Sequence, residues 1–120
     1  MKVIETRTHG YLDYMTGILL IILPFLAGWD VNASQSIVPM VLGAMTIIMS
    51  LMTAYELGVT HIIPMPTHLT IDLVSGLVLA ASPWLFGFAD QVYLPHLIVG
   101  IFEIMASLMT KTRPQAAYST

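Results

Sequence analysis

Between Arg7 and Lys111 the chain contains no lysine and no arginine. Four continuous apolar stretches fill that interval, at about 10–29, 36–55, 68–88 and 92–110. Each is close to the ~20 residues that a helix needs to cross a bilayer. A soluble domain carries about 25% charged residues, whereas this chain has 9% charged and 57% hydrophobic residues. A chain of 120 residues cannot hide so much apolar surface in a core of its own, because small domains bury too small a share of their surface. The expected solvent is therefore lipid. Backbone polar groups in lipid must be paired, in helices or in a closed barrel, and runs that are continuously apolar, without alternation, select helices. The expected fold is all-α: a single membrane domain of four transmembrane helices.

The four basic residues set the expected orientation. Lys2 and Arg7 precede the first span, and Lys111 and Arg113 follow the fourth. An even number of spans puts both ends on one side, and the positive-inside rule makes that side cytoplasmic. This predicts a bacterial inner-membrane protein with a cytoplasmic turn at 56–66 and outward loops at 29–36 and 88–92. Trp29, Trp84, Phe88 and Tyr93 then fall together at the outer boundary, where an aromatic belt is expected. With so few basic residues there is no patch for nucleic acid. The absence of cysteine removes disulfides, thiolate metal sites and thiol nucleophiles. Nine methionines suit the filling of irregular gaps in a bundle better than a copper-handling cluster.

The chain also repeats itself. Aligning Thr8 with Thr67 matches His9/His68, Asp13/Asp72, Gly17/Gly76, Leu20/Leu79, Pro24/Pro83, Leu26/Leu85 and Gly28/Gly87. A second block matches Gly43, Ile47, Ser50, Leu51, Met52 and Thr53 with Gly100, Ile104, Ser107, Leu108, Met109 and Thr110. Internal repetition of this kind fixes architecture: repeat 1 spans 8–55 and repeat 2 spans 67–112, each a helical hairpin. Both hairpins enter and leave on the same side, so they are parallel repeats about an axis along the membrane normal. Because its copy lies mid-chain, the first span reads as a retained helix and not as a cleaved secretion signal. The matched residues of spans 1 and 3 recur every three or four positions and share one face, where Gly17 and Gly76 allow close helix contact.

The segment Ala81-Ser82-Pro83-Trp84-Leu85-Phe86-Gly87 resembles the SPW-repeat family of small membrane proteins. In that family each short repeat is two transmembrane helices, with the Ser-Pro-Trp motif in the first. The resemblance covers about 8–112, and the first half carries Leu23-Pro24-Phe25 in the motif's place. It implies the architecture and supplies no activity. Physically, Pro83 removes a backbone hydrogen bond and is expected to kink or end the outer part of span 3, with Ser82 capping the freed group and Trp84 anchoring at the interface.

The repeated His9/Asp13 and His68/Asp72 pairs carry the chemical question. A spacing of four puts each pair on one helical face within reach. Ionisable groups in a span are costly and turn to the bundle interior or to water. One reading is structural: Thr8 or Thr67 caps its helix while histidine and aspartate bond to each other and lock two spans. A second places haem or a metal between His9 and His68, with the aspartates orienting the rings. A third is an ion or proton path through Asp13, Asp72 and Glu103. Glu103 stands near the middle of span 4 where the first half has Thr46, and it requires a polar partner on another span or subunit. His96 is about two turns from Glu103, too far to pair with it. His61 falls in the cytoplasmic turn and is expected to be solvated.

No nucleophile–base set, phosphate loop or zinc motif is present. The reading favoured by the sequence is a structural or accessory membrane protein, self-associating or docked to a larger complex, with no resident cofactor expected. The alternatives are a haem- or metal-binding redox protein and a small channel or transporter.

Overall fold

The computed structural model describes residues 2–114. Four helices follow one another, α1 (Thr6–Ala27), α2 (Ser34–Met52), α3 (Met65–Leu85) and α4 (Leu94–Met109). The first three are long and apolar enough to cross a membrane, and α4 is shorter at 16 residues. The chain is an all-α, four-helix membrane protein. Its outer faces carry exposed Ile18, Phe25, Leu26, Ile48, Leu77 and Ile98, whereas polar residues within the spans such as His9, Asp13, Ser50, His68, Asp72 and Glu103 are buried, the reverse of a soluble bundle.

The helices pack as two hairpins, α1 on α2 and α3 on α4, with α2 also meeting α3. Each hairpin crosses at a glycine pair. A Cβ added to Gly43 would lie 2.7 Å from the Gly17 carbonyl oxygen, and one added to Gly100 would lie 2.7 Å from that of Gly76. Only a bare backbone permits this approach, the usual device for joining helices that lipid cannot drive together. Both hairpins turn at a glycine in the left-handed region, Gly28 at φ 73° and Gly87 at φ 74°.

The helix limits differ from those expected, and the cause lies in the flanking chain. Thr53 leaves the helix in an extended conformation and bridges to Ile63, while Ile4 bridges to Thr110. The Ile62 and Ile63 amides donate to the Met52 carbonyl, and those of Val3 and Ile4 donate to the Met109 carbonyl. The leader of α3 is thus tied to the end of α2, and the leader of α1 to the end of α4. These ties end α2 earlier than the hydropathy suggested and start α1 and α3 earlier, at Thr6 and Met65.

Three prolines, Pro24, Pro39 and Pro83, lie inside helices, and the carbonyls that Pro39 and Pro83 leave free are each met by a side chain. Pro83 cannot donate to Leu79, and the Ser82 hydroxyl does so instead at 2.7 Å. Pro39 cannot donate to Gln35, and the His96 ring nitrogen Nε2 reaches that oxygen from α4 at 2.9 Å. Pro83 lies in the last turn of α3, which ends two residues later at Leu85. The outer aromatic group also differs from expectation. Trp84 and Tyr93 are exposed and pack together with ring centres 5.7 Å apart. Phe88 is buried against His96, however, which stacks on Trp29 at 5.4 Å. The Phe88 ring lies 4.8 Å from that of His96 at an interplanar angle of 56°, so it serves as a core residue and not as an interfacial anchor.

Candidate functional site

The polar site lies near the end of the bundle where Ile4 meets Thr110. His9 is in the first turn of α1, and Asp13 follows one turn later. At 1.5 Å rise per residue, Asp13 is about 10 Å beyond the helix start. His68 and Asp72 hold the matching places on α3. All four are buried, from 0% exposure at His68 to 7% at Asp13.

Their inner atoms form a four-membered ring of alternating nitrogen and oxygen. His68 Nε2 lies 2.6 Å from Asp13 Oδ2 and 3.0 Å from Asp72 Oδ2. His9 Nε2 lies 2.7 Å from Asp72 Oδ2 and 3.1 Å from Asp13 Oδ2. The spacing of four does bring each pair together within its helix, but the shorter contacts run between helices. Each histidine bonds most closely to the other hairpin's aspartate. The rings meet edge to face, with centres 5.5 Å apart.

The outer nitrogens are equally constrained. His9 Nδ1 lies 2.7 Å from Thr110 Oγ1, and His68 Nδ1 lies 2.6 Å from Thr53 Oγ1. Each threonine hydroxyl donates its hydrogen to a carbonyl one turn earlier, Thr110 to Ala106 and Thr53 to Met49. A hydroxyl has one hydrogen, so each threonine oxygen accepts from the histidine and Nδ1 carries the proton. Nε2 is thereby aimed at the carboxylates. The two threonines were visible in the sequence only as the ends of the second matched block. Their role depends on tertiary placement, since each serves the histidine of the other hairpin.

Neither Thr8 nor Thr67 caps a helix. The cap positions are Glu5 and Pro64, with no side-chain cap bond at either, because the leaders are held by the ends of α4 and α2 and the helices begin before those threonines.

The site is less symmetric at its margin. Ser50 Oγ donates to Asp13 Oδ2 at 3.4 Å, whereas Ser107 at the matching place donates to the Ile104 carbonyl. Asp72 Oδ1 is left buried without a partner. Glu103 is buried on α4 within the electrostatic reach of Asp72, Asp13 and His9, so it belongs to the same polar neighbourhood. His96 stands apart at the other end of the bundle, and His61 is exposed in the 53–64 turn, near the Gly58 carbonyl at 3.3 Å.

The 53–64 turn closes over the site. Thr6 donates to Glu56 at 2.6 Å, and the Tyr14 hydroxyl donates to the Leu57 carbonyl at 2.8 Å. Tyr55 is fully buried between Met65, Leu69 and Leu57, with its ring 5.7 Å from that of His68. Burial pushes the Tyr55 phenol above its ordinary range. A Cβ on Gly10 would lie 2.5 Å from this ring and 2.6 Å from Leu57, so any larger residue there must displace the Tyr55 and Leu57 side chains. Ser82, Pro83 and Trp84 lie at the opposite end of α3 and do not join the site.

Among known proteins, no curated protein and no solved structure matches the chain. A family model described as the SPW repeat domain matches residues 7–110. That span holds the whole His–Asp ring and all four helices but for Thr6 at the start of α1, and the chain therefore belongs to the SPW repeat family.

Proposed function

We propose that this protein is a non-catalytic accessory unit of the membrane, arisen by internal duplication, that self-associates or docks to a larger membrane complex. The observation that carries this reading is the inward ring of His9, Asp13, His68 and Asp72, with Thr53 and Thr110 behind it. It spends the polar groups of α1 and α3 on joining the two hairpins. The outward faces left to lipid or to a neighbour are apolar, and the connections between helices are short, with no extramembrane domain among the described residues. Both termini face the cytoplasm of a bacterial inner membrane in this reading, supported by the confinement of Lys2, Arg7, Lys111 and Arg113 to one end.

Extraction of the tagged full chain into lipid nanodiscs, followed by native mass spectrometry, tests the proposal. The expected species is a homo-oligomer or a stoichiometric complex. A lone monomer at native abundance would overturn it. The orientation has a direct test because the chain lacks cysteine. A single cysteine at Thr112 is expected to resist a membrane-impermeant maleimide in intact cells, and one at Asn32 is expected to react.

A further inference from the structure

We propose that the ring formed by His9, Asp13, His68 and Asp72 is a binding site for one divalent first-row transition-metal ion, of the class that zinc represents. This is independent of the accessory role and would stand if that role failed.

The donors converge. One ligand atom from each of the four residues lies within 4.8 Å of every other. Metal bonds of about 2.0–2.2 Å to imidazole nitrogen and carboxylate oxygen place neighbouring donors about 2.9 Å apart in a square and about 3.3 Å apart in a tetrahedron. The four edges measure 2.6, 2.7, 3.0 and 3.1 Å. The shortest edge opens by about 0.3 Å to reach the square and by about 0.7 Å to reach the tetrahedron.

The orientation is right as well. A metal-bound histidine usually donates its other ring N–H to an oxygen that fixes its tautomer. Thr110 and Thr53 perform that service for His9 and His68, so both Nε2 atoms are the ones offered. A second observation points the same way: Asp72, 2% exposed, keeps Oδ1 buried with no partner. That oxygen is available as a further ligand or as acceptor for a metal-bound water.

A divalent cation held by two carboxylates and two neutral imidazoles carries no net charge together with its ligands, which suits a low-dielectric site where uncompensated charge is costly. Two nitrogens and two oxygens with no sulfur suit a borderline ion such as zinc or cobalt, and they are too few oxygens for calcium. Haem does not suit the ring, because Asp13 and Asp72 Oδ2 occupy the space between the two Nε2 atoms where a porphyrin would lie.

The test uses the full chain in detergent, stripped with chelator and then dialysed. Cobalt chloride is titrated while visible absorption is recorded, and zinc chloride is titrated by calorimetry. The expected result is one ion per chain, ligand-field bands from a nitrogen–oxygen set, and a raised unfolding temperature. Asp72→Asn and His68→Gln are expected to abolish stoichiometric binding. Should either variant fail to fold, Thr110→Val keeps all four donors and is expected to weaken binding about 10–100-fold, the usual effect of losing a ligand's supporting bond. His61→Ala is expected to bind as the parent does. Absence of saturable binding by the folded parent would overturn the proposal, as would parent-like affinity in folded Asp72→Asn or loss of binding in His61→Ala.

Discussion

His9 donates through Nδ1 to the hydroxyl of Thr110, at 2.7 Å and across 101 residues of chain. His68 and Thr53 make the same bond at 2.6 Å, so each histidine reads the end of the other hairpin's second helix. Thr53→Val and Thr110→Val are each expected to lower stability by about 1–3 kcal/mol, the cost of stranding a buried donor. The two should agree within about 0.5 kcal/mol. Thermal unfolding in one detergent checks this, and a marked inequality would show that only one of the clasps contributes.

The inter-hairpin contacts in the ring are the shorter ones. Removing one charged member is expected to cost about 3–5 kcal/mol, because a buried charge is left uncompensated. A double-mutant cycle gives the sharper result. The coupling of His9 with Asp72 should exceed that of His9 with Asp13, within the 0.5–3 kcal/mol range of contacting residues. Equal couplings would mean that the ring holds each helix's own pair as strongly as it holds the two hairpins together.

The proline carbonyls predict a conditional effect. Ser82→Ala is expected to destabilise by about 1 kcal/mol, because the Leu79 carbonyl loses the donor that Pro83 denies it. In a Pro83→Ala background the amide returns, and Ser82→Ala should then cost almost nothing. His96→Ala and Pro39→Ala should show a similar dependence through the Gln35 carbonyl, on top of a constant loss from the packing of His96 on Trp29 and Phe88. Additive effects in the first pair would count against the capping role of Ser82.

Glycines of two kinds should respond differently. Gly100→Val is expected to break the α3–α4 crossing, since its Cβ would lie 2.5 Å from the Ala80 amide nitrogen. Such backbone overlap cannot be relieved by a rotamer change, and a loss above about 3 kcal/mol is expected. Gly87→Ala meets nothing within 4 Å but sits at φ 74°, where an L-residue costs about 1–2 kcal/mol. Denaturation of both variants by the same method checks the order.

The four helices and the inward-facing His–Asp pairs were legible in the sequence because hydropathy and a spacing of four are local signals. What joins the pairs was not. A spacing of four shows that His9 can reach Asp13, but no local pattern shows that Asp72 is nearer. Thr53 and Thr110 stood in the repeated block as chemically ordinary residues, and their significance comes from the exchange of partners between hairpins. The early starts of α1 and α3 were hidden for a similar reason. They depend on Val3–Ile4 and Ile62–Ile63 pairing with distant helix ends, which apolar windows do not register. Phe88 looked like a membrane anchor by type and position, and the buried His96 claims it instead.

The leader that precedes α1 bonds to the end of α4 as the leader of α3 bonds to the end of α2, and the Lys111 amide returns to the Ile4 carbonyl at 2.8 Å. In connectivity of contacts the protein is therefore a ring, with the turn at 53–64 and the meeting of Ile4 with Lys111 as equivalent junctions. One junction is covalent and the other is held by hydrogen bonds. A circular permutant that opens the chain within 56–61 and links the two ends of the described fold should keep the same four helices and the same His–Asp ring.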